Sequence, residues 1–153
     1  MLVKLKIRVV TYTIKMKKLF DNFKKTIEKR IVILEQNYDE NEKRGFDPSR
    51  ADDVHDFEKH LYMDGGEING LLSSLSIFEK LEKEYSLTNT DKNEKCIKHL
   101  EERVERLFKI LDKHEDEYGD GEKWKNSEKW NFEKGYLLGK IDGYTYVKDY
   151  LKS

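Results

Sequence analysis

Apolar residues recur at Leu19, Phe23, Ile27, Ile31, Leu34 and Tyr38, in steps of four, four, four, three and four. That spacing keeps one face of an α-helix apolar and predicts a first helix from Met16 to Arg44. Gly45 stands where a C′ glycine belongs, and Asp47-Pro48 reads as an N-cap followed by a proline at N1. A second helix then carries Ala51, Val54, Phe57 and Leu61, is interrupted at Gly65-Gly66, and resumes with Ile68, Leu72, Leu75 and Leu81, as one bent helix or as two pieces. Ser86 to Thr90 is a polar turn. The third helix runs from about Asp91 to Tyr118, with Asp91 at N-cap and Glu94 at N3, on the stripe Ile97, Leu100, Val104, Leu107, Leu111 and Tyr118. Asp120 to Ser127 forms a loop, and a fourth helix reaches Leu151.

The first fifteen residues break this rhythm. Val3, Leu5, Ile7 and Val9 alternate with Lys4, Lys6 and Arg8, the period of a strand. No second strand of similar quality follows, and a lone strand leaves its backbone groups unpaired. Three outcomes stand: pairing with a second copy in a homodimer, a helical extension, or a mobile leader before a domain that starts at Met16. The helical and mobile outcomes together rank above the strand.

Three glycines, Gly135, Gly139 and Gly143, lie four residues apart in the fourth helix, and Gly66, Gly70 and Ser74 form a shorter version in the second. Residues four apart share a helix face. Each glycine costs roughly 1 kcal/mol against alanine in a helix interior, so a stripe of them requires a compensating gain, and close approach of the two helices supplies one. Sliding the chain against itself by 73 residues pairs Ile27, Ile31, Leu34 and Tyr38 with Leu100, Val104, Leu107 and Leu111. The same offset pairs Arg30 with Arg103, Phe57 with Trp130, and Gly66-x-Ile68-Asn69-Gly70 with Gly139-x-Ile141-Asp142-Gly143. The expected architecture is an all-α, antiparallel bundle of about four helices in one domain, 16–153. It divides into two pseudo-repeated hairpins, 16–85 and 90–152, preceded by a basic extension, 1–15.

Composition supports helices: 40% of residues are charged, 37% are hydrophobic, and there is one proline. A net charge of -1 with 12% aromatic residues favours folding over disorder. The single cysteine, Cys96, reads as a small hydrophobe in a reducing compartment. No apolar run approaches the ~20 residues of a membrane span, and residues 2–14 are too charged for a signal-peptide core. These features lead to an expectation of a cytoplasmic protein without membrane association.

Candidate chemistry is sparse. His55 and His60 lie on different helix faces, and Asp52-x-x-His55 is a single approximate match to a bundle metal motif that needs two. Glu101-Glu102-Arg103-Val104-Glu105 with Glu117-x-x-Asp120 is similar to the paired acidic motifs of the all-α nucleotide pyrophosphatases related to MazG, which hold magnesium between two helices. Here both motifs fall on one predicted helix, with Glu105 and Glu117 roughly 18 Å apart. The residues therefore read as a solvated acidic face with i, i+4 pairs to Arg106 and Lys109. No enzyme, cofactor or metal site is expected.

Charge is uneven. Residues 1–30 hold ten Lys or Arg and two acids, while the remainder holds 20 bases and 29 acids. The basic end suits either the protein's own acidic helices or nucleic acid, with Lys4, Lys6, Arg8, Lys15, Lys17 and Lys18 as candidate contacts. Tyr85, Tyr118 and Trp124, at helix ends and loops, are candidate contacts for a protein partner. The Lys-, Asn- and Ile-rich usage suits an AT-rich genome, and the size suits an accessory gene of a bacterium, phage or mobile element. The functional expectation is a non-catalytic helical interaction module, an inhibitor or adaptor acting on a host macromolecule. The alternative is a nucleic-acid-binding accessory protein.

Overall fold

The computed structural model describes the backbone of residues 2–45, 54–84, 87–118 and 128–153, and the side chains of 20–45, 57–84, 87–116 and 132–153. Four helices follow one another: α1 (Leu2–Arg44), α2 (Val54–Glu82), α3 (Asn89–Tyr118) and α4 (Glu128–Lys152). The architecture is an all-α four-helix bundle, with no strand among the described residues.

Of the three outcomes open to the alternating N-terminal segment, the helical one is found: the segment is the opening of α1, which runs unbroken past Met16. A helix satisfies its backbone bonds within the segment, whereas a lone strand cannot. Of the two alternatives at Gly65-Gly66, one helix or two pieces, the first is found: α2 continues through both glycines.

The helix ends show what stops each element. Gly45, at φ +67°, takes the left-handed conformation after α1, and its N–H donates to Asn41 O at 3.0 Å. The expected cap at Asp47-Pro48 lies outside the described residues. The N-terminus of α3 is displaced from expectation. Thr88 is the N-cap, and its hydroxyl oxygen accepts from Asp91 N–H at 3.1 Å. Asp91 in turn sits at N3 and accepts from Thr88 N–H at 3.0 Å and from its hydroxyl at 2.6 Å. The capping box is therefore Thr88 with Asp91, not Asp91 with Glu94. These bonds hold the Asp91 carboxyl below the usual carboxylate range. Lys92, buried in the first turn of α3, donates to Glu82 O at 3.1 Å and so covers the last turn of α2.

The core unites the stripes of α1 and α3 with the inner faces of α2 and α4. Ile27, Leu71, Leu100 and Val147 are fully buried, with Phe23, Leu34, Phe78 and Tyr144 nearly so. Cys96 is enclosed, and desolvation pushes its thiol up to about 12, which suits the expected packing role. Within each hairpin the helices are antiparallel. Lys24 meets Glu79 and Arg30 meets Glu67 across α1 and α2, while Glu101 meets Lys152 and His114 meets Glu133 across α3 and α4.

Between the hairpins, α2 and α4 form the most extensive contact, and α1 and α3 scarcely meet. The contact runs parallel, with Gly135 against Lys59, Gly139 against Met63 and Gly143 against Glu67. In an up-down-up-down bundle, α2 and α4 occupy a diagonal. Here the diagonal pair makes direct backbone contact and displaces α1 and α3 to the flanks.

The contact is also reciprocal under the 73-residue offset. A Cβ on Gly66 would run into Tyr136 O and Lys140 N; a Cβ on Gly139 would run into Met63 O and Glu67 N, their equivalents. A Cβ on Gly70 would stand 2.6 Å from Lys140 O and 3.1 Å from Gly143 Cα. One on Gly143 would stand 2.5 Å from Glu67 O and 3.0 Å from Gly70 Cα. Matching contacts exchanged between two copies of a motif are the mark of a twofold relation.

Candidate functional site

The twofold relation places two equivalent sites on opposite flanks of the α2–α4 contact, and their chemistry has diverged. The first is built around Arg30 of α1. Its guanidinium donates through Nε to Glu67 Oε1 at 2.9 Å, with Nη2 at 2.8 Å from the same oxygen. It also lies over the Tyr146 ring of α4, 5.6 Å from the centroid. Asp64 and Asp142 stand near this pair. Burial and the Glu67 charge raise both carboxyls above the usual carboxylate range, partly offset by Arg30. One arginine thus serves three carboxylates.

A carboxyl raised in the folded protein costs stability as pH rises through its folded pKa. Asp142→Asn is therefore expected to raise the melting temperature at pH 7, with the gain shrinking as pH falls toward the ordinary carboxylate value. Thermal melts across that range check this. An Asn already occupies the equivalent position, Asn69.

The second site is built around Arg103 of α3. Under the 73-residue offset, Lys140 corresponds to Glu67, Leu137 to Asp64, Asn69 to Asp142 and Ser73 to Tyr146. The Arg103 guanidinium donates to the Tyr144 hydroxyl at 3.3 Å and lies 5.8 Å from that ring's centroid. Beside it opens a cleft of about 320 Å³ between α3 and α4, lined also by His99, Glu102, Arg106 and Lys140.

No protein-family model, curated protein or solved structure matches this chain. The functional reading therefore rests on its own geometry.

Of the residues singled out by sequence, Gly66, Gly70, Gly135, Gly139 and Gly143 come together in the α2–α4 contact. Tyr85 and Trp124 lie outside the described residues, and Tyr118 is the last residue of α3 with its side chain undescribed. The side chains of Lys4, Lys6, Arg8, Lys15, Lys17 and Lys18 are likewise undescribed, but their helical register is set by α1. At about 100° per residue, positions 4, 8, 15 and 18 fall along one line of the helix and 6 and 17 on the other side. On the acidic face of α3, Glu105 pairs with Lys109 at 2.7 Å as its spacing implies, whereas Glu101 pairs across to Lys152 at 2.9 Å. Among the described residues, no group of three or more His, Cys, Asp or Glu could hold a metal ion.

The Arg30–Glu67 pair and the Arg103 cleft were not anticipated. The offset had aligned Arg30 with Arg103, and the charge reversal from Glu67 to Lys140 was the available signal. The buried His114, whose Nε2 lies 2.9 Å from Glu133 Oε2, was signalled only by its place three residues after Leu111 on the α3 stripe.

Proposed function

We propose that this chain is a non-catalytic helical interaction module that binds a protein partner, an inhibitor or adaptor in character. The observation that supports this reading is the outward face of α1. Val32 and Ile33 are adjacent and about half exposed, and Lys25, Glu28 and Lys29 border them around a shallow concavity of about 430 Å³. Adjacent aliphatic side chains held half in water on a regular helix gain from burial at roughly 25 cal/mol per Å². The lysines on the same face favour an acidic rim on the partner. The site is a surface of recognition, with binding as its chemistry.

The test compares affinity capture by the wild-type chain with capture by Val32→Asp/Ile33→Asp. Both positions face solvent, so the variant should keep its helical circular dichroism and melting temperature. The expected result is one dominant partner, identified by mass spectrometry, that the variant fails to retain. Equal retention by a folded variant would discard this surface.

A second reading, nucleic-acid binding, draws on the continuity of α1. Positions 25 and 29 continue the line of 4, 8, 15 and 18, so six basic residues share one ridge of an unbroken helix. Binding to DNA or RNA that weakens steeply with salt would favour it. No binding at low salt would remove it.

A further inference from the structure

The two sites related by the 73-residue offset hold the same arginine in opposite company. Around Arg30, Glu67 supplies a carboxylate at 2.8 Å, Asp64 and Asp142 add negative charge, and the Tyr146 ring covers the guanidinium. At the positions that correspond under the offset, Ser73 takes the place of Tyr146, and Lys140, Leu137 and Asn69 take the places of the three acids; of these, Lys140 lines the Arg103 cleft. The site loses its internal anion, while a different tyrosine, Tyr144, packs its ring against the guanidinium, which lies 5.8 Å from the centroid. What remains is an open cleft holding Arg103, Arg106 and Lys140 against the single carboxylate of Glu102. Among the described residues, no carboxylate pairs with any of these three cations within 4.0 Å.

We infer that the Arg103 cleft binds a phosphate group, which takes the place that Glu67 fills in the other half of the molecule. The first site shows what an arginine in this setting holds, an oxyanion gripped by its N–H groups. The second adds Lys140 and Arg106. A carboxylate would neutralise one of three cations, whereas a phosphate dianion answers two and offers more acceptor oxygens. Lys140 acts as a point charge on a side chain already drawn across the Tyr136 ring, 5.7 Å from its centroid. The Tyr144 hydroxyl accepts from Arg103 and retains its own proton to donate. Its ring is nearly fully buried, so this donor is held in place by the core. His99, exposed on the rim, adds a further ring nitrogen. This inference is independent of what covers α1.

The test titrates inorganic phosphate, then pyrophosphate, into the full chain at constant ionic strength balanced with chloride. Melting temperature and the NMR resonances of the Arg103 guanidinium are followed. The expected result is a phosphate-dependent rise in melting temperature with saturable shifts at Arg103, and tighter binding of pyrophosphate. Lys140→Glu installs the residue found at position 67, so it should fold, pair with Arg103 and abolish the phosphate response. Arg106→Gln, at an exposed position, should weaken binding by roughly tenfold, about 1.4 kcal/mol. A response in Lys140→Glu equal to wild type would overturn the proposal, as would a wild-type response no larger than that to chloride. Acetate or glutamate binding as tightly as phosphate would overturn the phosphate assignment in favour of a carboxylate. Should Lys140→Glu fail to fold, the Arg106→Gln affinity and the wild-type NMR shifts decide the matter.

Discussion

Gly66→Ala and Gly139→Ala should each lower stability by about 2 kcal/mol or more, while Gly65→Ala, next door, should raise it by about 0.5 to 1 kcal/mol. All three substitutions gain the same helix propensity, roughly 1 kcal/mol. The difference lies in what the new methyl meets. At Gly65 the nearest atom is Tyr38 Cε2 at 4.0 Å, an ordinary contact. At Gly66 the methyl would enter the carbonyl of Tyr136, and at Gly139 that of Met63. Both are backbone atoms inside helices, so they cannot rotate away as a side-chain tip would. Relief requires α2 and α4 to separate along their length. Overpacking typically costs 1 to 3 kcal/mol and at times more, and a rigid backbone obstacle places these two sites at the high end. For a chain of this size, each kcal/mol moves the melting temperature by roughly 2 to 4 °C. Gly139→Leu should be more damaging still. A Gly139→Ala protein that melts at or above the wild-type temperature would show that the glycines are not required for the contact.

Arg30→Ala should cost about 2 to 3 kcal/mol. The substitution removes both bonds to the Glu67 carboxylate and the stacking on Tyr146. More importantly, it leaves Glu67, 9% exposed, beside Asp64 and Asp142 without the guanidinium that it pairs with. Breaking a buried pair from one side typically costs 3 to 5 kcal/mol. The Arg30 side chain is 38% exposed, and water returning to its place reduces that figure. The pH dependence identifies the cause. Asp64 and Asp142 lie above the usual range even with Arg30 present, and they lose its lowering influence in the variant. A carboxyl raised in the folded state makes the protein less stable as pH rises through the folded pKa. The deficit should therefore be largest at neutral pH and narrow as pH falls toward the ordinary carboxylate value. Arg30→Met combined with Glu67→Leu should recover most of the loss, since it removes the stranded charge as well as its partner. Denaturant unfolding at pH 7 and at pH 5 measures both effects. A single variant within about 0.5 kcal/mol of wild type would mean the cluster is fully solvated.

The two predictions depend on different kinds of legibility. The apolar stripes of α1 and α3 were readable because Ile27, Leu34, Leu100 and Leu107 each face one core at helical spacing, and all four are buried. The opening of α1 was less so, because Val3, Leu5, Ile7 and Val9 carry a strand period on a segment that is helical. Local alternation is a weak signal when no second strand exists to pair with it, and helix continuity from Leu19 onward prevails. The start of α3 was misread by a few residues because Asp91 satisfies the N-cap pattern almost as well as the N3 pattern that it occupies. The candidate cleft was hidden for another reason. Arg103, Arg106 and Lys140 belong to two helices, and in a chain with 30 basic residues no local motif separates them from the rest.

By itself, the sequence determined four helices, the glycine that ends α1, the start of α3 within a few residues, the apolar faces and the 73-residue self-similarity, because all of these follow from spacing along one chain. The glycine stripes were part of that. The stripes already implied that α2 and α4 approach closely; only the tertiary structure decided the direction and register of that contact. The absence of Cβ atoms lets α2 and α4 meet backbone to backbone, in parallel, across the diagonal of the bundle. That contact creates the twofold relation in space, and the relation sets the Arg30 and Arg103 sites on opposite flanks. Whether an arginine meets a carboxylate or an open cleft is then a matter of which side chain the partner helix brings to it. Such pairings depend on register between helices rather than spacing within one, and register is established by packing.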